Sequence, residues 1–246
     1  MSTLTKITTV ESKLFLRDPT SAALALLLPV GLLVVFGSIG LGESANEDAS
    51  DGISAAFLPA MVMALSVAML SLATLPTVLA TYREKGILRR MRTTPVHPSK
   101  VLTAQLVVYV GAAVLAAVLV LVAGALFFDG GWPSNPLAFV VAFVLMTAAL
   151  MSVGLLIAAV AKTAKMATGI GMALFFPSMF FAGVWTPGNL MPEWARPIRD
   201  VTPMGAGMEA LQDAWAGDWP GSANLIALVA VAVGLSAIAA RLFRWE

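Results

Sequence analysis

Few residues in this chain are equipped for chemistry. It has no cysteine and one histidine, His97, which excludes disulfides, thiolate metal sites and a cysteine nucleophile and leaves little for acid–base or metal work. No HExxH pair is present, no serine within an apolar stretch has a nearby histidine, and no GxxxxGK[ST] phosphate loop occurs in the 246 residues. What stands out is a knot of charge, TYREKGILRRMRTTPVHP at 81–98. Arg83, Glu84, Lys85, Arg89, Arg90 and Arg92 crowd into it, in a chain that is 12% charged and 59% hydrophobic. Such a knot can dock a cytoplasmic protein, or it can hold lipid phosphates as a basic anchor. Spacing alone leaves both open. His97 reads as a solvated turn residue between Val96 and Pro98.

The elements that carry the knot are membrane spans. Soluble domains carry about 25% charged residues, and this chain, at a mean hydropathy of +0.89, belongs to the membrane class. A bilayer core of about 30 Å needs about 20 apolar helical residues, and six windows qualify: 22–41, 53–81, 101–128, 137–161, 167–185 and 223–240. With both ends inside, 13 of 15 basic residues fall on the inner side and 10 of 14 acidic residues on the outer, as the positive-inside rule requires. Residues 1–21 are polar, so the first window reads as an uncleaved span rather than a secretory signal.

None of the windows contains Asp, Glu, Lys, Arg or His. Ion-coupled carriers keep such groups inside the membrane because coupling needs them, so that class is disfavoured. A water-filled channel would have only Ser38, Ser66, Thr74, Gln105, Thr147 and Ser152 to line it. If the chain transports, its energy comes from a separate chain.

Leu4, Ile7, Val10 and Leu14 recur at helical spacing and predict an interfacial helix over 3–16, with Lys6, Glu11 and Lys13 mostly off the apolar stripe; the alternative is an ordinary amino tail. The second window is long enough to project beyond the bilayer. Gly86 offers a turn, after which Leu88 and Met91 could form one face of a short helix bearing Arg89, Arg90 and Arg92, stopped at Pro95. On the outer side, Pro187, Pro192 and Pro197 interrupt the chain after the fifth window. Thr202 and Pro203 then start a helix whose stripe is Met204, Met208, Leu211 and Trp215. That segment is expected to dip back or lie flat on the outer leaflet. Met61, Met69, Phe175, Phe176, Phe180 and Phe181 would suit an adaptable apolar pathway, or simply core and lipid-facing positions.

Three stretches together resemble the ABC type-2 exporter permeases: KLFLRDP (13–19), YREKGILRRMRTTPVHPSKVLTAQ (82–105) and FFAGVWTPGNLMPEWARPIRDVTPMGAGMEAL (180–211). The resemblance implies an all-α, type V exporter-like domain over 1–246, with six transmembrane helices, an interfacial helix at 1–19, a coupling loop at 82–100 and an outer re-entrant hairpin at 186–222. It implies a second permease copy, identical or related, and a cytoplasmic ABC ATPase that binds the ATP and magnesium. This chain then has no catalytic site, metal or cofactor of its own, and its partners are that ATPase, lipid and a small-molecule substrate rather than nucleic acid. Arg83, Glu84, Lys85 and Gly86 match the charged turn of the coupling loop, residues 88–94 its helix, and Pro187, Pro192, Glu193 and Trp194 the hairpin closing the route. With two tyrosines in all, the chain looks more like the drug- and antibiotic-resistance branch, the daunorubicin-resistance-like one, than like polysaccharide exporters. The expected place is a bacterial plasma membrane with both termini cytoplasmic. A membrane scaffold or sensor that recruits a partner without transport is the competing reading, and lipid or polysaccharide export a further one.

Overall fold

Prolines and glycines shape the helices of this bundle. The computed structural model describes residues 3–18, 23–38, 56–87, 99–127, 132–185 and 191–242. The predicted coupling residues Leu88, Arg89, Arg90, Met91 and Arg92, together with His97 and Pro187, lie outside the described residues. All regular structure among the described residues is helical. Helix α1 covers Thr3–Arg17, and α2 is a π-helical turn, Ala23–Leu27, continued by the α-helix Leu28–Ser38. Helix α3 runs over Phe57–Glu84, interrupted by a π-helical segment at Met69–Thr74. Then come α4 (Ser99–Phe127), α5 (Pro136–Val160), α6 (Ala164–Phe181), a 3-10 turn at Glu193–Ala195, α7 (Arg196–Val201), α8 (Pro203–Ala216) and α9 (Ser222–Leu242).

Five of these, α3, α4, α5, α6 and α9, are long and apolar enough to cross a membrane, and they coincide with the second to sixth windows. The described part of the first window, α2, is shorter. At 28 residues, α3 is about 42 Å long at 1.5 Å per residue, which outlasts a hydrocarbon core of about 30 Å.

Local chemistry sets the ends. The Asn135 side chain accepts a hydrogen bond from the Ala138 N–H at 3.1 Å, with Pro136 at the first helical position of α5. Thr163 caps α6 in the same way through the Met166 N–H at 3.2 Å. Thr202 and Pro203 start α8, although the Thr202 hydroxyl donates back to the Arg199 carbonyl instead of capping. Gly86 and Gly217 stand just past the ends of α3 and α8 with φ of 65° and 103°, a region glycine enters without steric cost.

Helix α3 is the centre of the bundle: 78% of its span window is buried, against 17% for α6 and 11% for α9. Pro76 has no N–H for the Leu72 carbonyl, and its ring would crowd that oxygen; the wider π turn just before it accommodates both. At this turn neighbouring helices come closest. A Cβ on Gly154 of α5 would collide with the Ser71 carbonyl, and one on Gly171 of α6 with the Leu72 carbonyl, so both positions admit only glycine at this separation. Helices α8 and α9 pack on α5, and α1 and α2 on α4. Small residues four apart are buried at Ala112 and Ala116, Ala113 and Ala117, and Gly154 and Ala158, whereas Ala230 and Gly234 face outward.

Helix α1 corrects one expectation. Glu11 is buried, 9% exposed, while Val10 and Leu14 of the apolar stripe are 56% and 49% exposed. Glu11 and Phe15, four residues apart and so on one face, meet α4, and of the apolar stripe Val10 and Leu14 are left exposed while Leu4 and Ile7 are half-buried. Helix α8 keeps its predicted stripe: Met204, Met208 and Leu211 are buried, and Trp215 meets Phe139 edge-on with centroids 5.8 Å apart.

Candidate functional site

The knot begins where α3 ends. Consecutive helical residues point about 100° apart, so Tyr82, Arg83 and Glu84 reach three different neighbours. The Tyr82 hydroxyl donates to Glu11 Oε2 at 2.7 Å, and Gln105 Nε2 donates to the same oxygen at 2.7 Å and to the Tyr82 hydroxyl at 3.3 Å. One buried carboxylate therefore joins α1, α3 and α4. Arg83 Nη1 donates to the Ala161 carbonyl at 2.9 Å and the Ala159 carbonyl at 3.5 Å, the unsatisfied carboxyl end of α5. Glu84 Oε2 accepts from the Ala164 N–H at 3.0 Å, the first residue of α6. A cation at a helix C-terminus and an anion at an N-terminus both oppose the helix dipole favourably. Two adjacent residues of the knot thus clamp both sides of the 161–163 turn. Lys85 is exposed beside them.

Burial raises the carboxyl pKa of Glu11 above its ordinary value, while the hydrogen bonds from Tyr82 and Gln105 act against that rise. Beside it is a cavity of about 240 Å³ between α1, the end of α3 and the start of α4.

At the opposite, acidic end of the bundle, Arg199 of α7 lies 2.9 Å from Glu209 of α8 and 3.0 Å from Asp200. Burial raises both Glu209 and Asp213; Arg199 pulls Glu209 the other way, and the Gly221 N–H does so for Asp213. The Ser134 and Asn135 N–H groups donate to the Trp215 and Ala214 carbonyls, which ties the start of α5 to the end of α8. Of the predicted gate residues, Pro192, Glu193 and Trp194 are exposed, and Trp194 stacks on Phe180 with centroids 6.4 Å apart.

The six predicted pathway residues differ in burial. Met61 and Phe175 are buried, Met69, Phe180 and Phe181 half-buried, and Phe176 is 59% exposed. Phe175 and Phe176 meet edge-on, as do Phe180 and Phe181. The polar span residues are mostly satisfied at home: Ser66 donates to the Val62 carbonyl at 2.6 Å, Ser152 to Ala149 at 2.6 Å, Ser38 to Val35 at 2.9 Å and Thr74 to Met69 at 3.3 Å. This is how hydroxyls are accommodated in membrane helices, and it does not build a pore ring.

Sequence reasoning missed the inward contacts of Arg83 and Glu84 and the burial of Glu11. A legible signal was the brevity of KTAK (162–165), which leaves two helix ends close together and in need of polar partners.

A search of curated proteins finds no match to the chain. The family description "ABC-2 type transporter" matches residues 4–215, a stretch that includes α1, the charged knot, the glycine contacts around the π turn and almost all of α8. Membership makes a chain of this kind a multi-pass membrane subunit of an ABC transporter and implies association with an ATPase subunit. The chain belongs to the ABC-2 type transporter family.

Proposed function

We propose that the chain is the permease half of an ATP-driven exporter, with six spans, that moves a small amphipathic or hydrophobic compound out of a bacterial cell. Two copies, or this chain and a related one, would work with a separate ATPase that binds ATP and magnesium. The basic end faces the cytoplasm in this reading, α2 is the first span, and α7–α8 form the outer re-entrant hairpin.

The observation that carries the reading is the double clamp at the end of α3. A push on the 82–100 loop passes through Arg83 to the end of α5 and through Glu84 to the start of α6, so movement of one loop reaches three spans at once. Coupling requires that kind of rigid connection. The apolar character of α3, α5 and α6 supports a hydrophobic rather than a sugar substrate.

The test is co-expression of the chain with its ATPase and measurement of ATP turnover in the complex. Replacing Arg83, Glu84 and Lys85 together by alanine is expected to leave insertion intact and abolish the response of turnover to the permease. Unchanged turnover would remove the coupling role and favour the scaffold reading.

A further inference from the structure

We infer that the cavity beside Glu11 is a binding site for the head of an amphipathic organic monocation, an alkyl- or arylammonium group. The cavity of about 240 Å³ is lined by residues of α1, α3 and α4 and by Asp18 just after α1, and among the described residues no Lys, Arg or His lines it. Two carboxylates line it, Glu11 and Asp18, together with the rings of Phe15, Tyr82 and Tyr109. Glu11 is 9% exposed, and its described polar partners, Tyr82 and Gln105, are neutral. They orient the carboxyl group without supplying a positive charge, and an ionised carboxylate in an apolar setting is costly unless a cation joins it.

Each wall selects for the same ligand. The carboxylates repel anions. The apolar walls and aromatic rings give a hydrated divalent cation too few oxygens, since such ions take six or more. Aromatic rings attract ammonium groups and accept alkyl or aryl substituents. The volume falls below the roughly 300–1,000 Å³ of pockets that hold a whole drug-sized molecule, so it suits a head with one ring or a short chain. Leu14 lines the cavity and is also 49% exposed, which makes the cavity continuous with the outward apolar stripe of α1. A hydrophobic tail can leave along that stripe. As a loading site for export this rests on the reading above; as a binding site it stands without it.

The experiment uses the full chain in nanodiscs of neutral phosphatidylcholine, without ATPase, and radiolabelled benzyldimethyldodecylammonium as probe, a quaternary cation whose charge does not titrate. An uncharged benzyl dodecyl ether is the control. Saturable binding of the cation is expected, weakened about tenfold or more in Glu11→Gln, which keeps the side-chain shape and an acceptor for Tyr82. Phe15→Leu should weaken it about two- to fivefold, the worth of one ring–cation contact. Binding of the ether should change in neither. Equal cation binding in the native chain and a well-folded Glu11→Gln variant would overturn the site while leaving the exporter reading untouched. No saturable binding to the native chain would overturn it too. If Glu11→Gln is not monodisperse, competition by the cation for carbodiimide labelling of Glu11 decides: protection supports the site, and its absence overturns it.

Discussion

Glu84 and Arg83 illustrate how neighbouring residues can hold different helices. Each meets a helix end that has no internal partner, so each acts as a cap supplied from another element. Glu84→Ala should lower thermal stability in detergent by about 1 kcal/mol, the usual worth of a helix cap, with Glu84→Gln recovering part of it. The carboxylates at the acidic end predict a pH effect. Burial raises Glu209 and Asp213 in the folded chain, so the native state takes up their protons before the unfolded chain does. Their contribution is fully present below the ordinary carboxylate range and is lost as pH rises through the raised values. Melting temperature should therefore climb as pH is lowered from neutral toward that range. Glu209→Gln should flatten the slope, and an unchanged slope would remove Glu209 from the account.

At the scale of elements, the π turn of α3 controls how closely α5 and α6 can approach. Gly154 and Gly171 touch the backbone carbonyls of Ser71 and Leu72, where no side chain can turn aside. Gly171→Ala or Gly154→Ala should cost about 1–3 kcal/mol, as overpacking does, seen as a lower melting temperature and loss of a single peak on gel filtration. Gly169 is the internal control, because a Cβ there meets nothing within 4 Å. Gly169→Ala should be neutral or stabilising by up to about 1 kcal/mol through helix propensity. Equal losses at all three positions would mean that helix propensity, not contact, governs the site.

For the whole molecule, the absence of cysteine makes topology directly testable. Lys6, Ser134 and Lys162 are exposed, and single cysteines at these positions can be labelled with a membrane-impermeant thiol reagent in intact cells. Ser134→Cys should label from outside. Lys162→Cys and Lys6→Cys should label only after permeabilisation. Lys162 tests the crossing of α5, and Lys6 the crossing of the first apolar window. Outside labelling at Lys6 with protection at Lys162 would leave five spans and put the amino end outside.

The positions of the five long apolar helices, matching the second to sixth windows, followed from the sequence by itself, because a bilayer demands about 20 apolar residues wherever it is crossed. The start of α8 at Thr202–Pro203 was equally readable, since such signals act within a few residues. So were the charged knot at 82–92 and the Met204, Met208, Leu211 stripe. Tertiary structure alone decided what the knot touches: Arg83 and Glu84 meet carbonyls and an N–H 76 to 80 residues away, and no periodicity encodes that pairing. It also turned Glu11 inward. An amphipathic pattern ranks residues by polarity, whereas a buried carboxylate is placed by donors on other helices, here Tyr82 and Gln105. The burial of each predicted pathway residue was not legible for the same reason. Methionine and phenylalanine satisfy core, lipid and cavity alike, and only the packing of the bundle assigns each one to a surface.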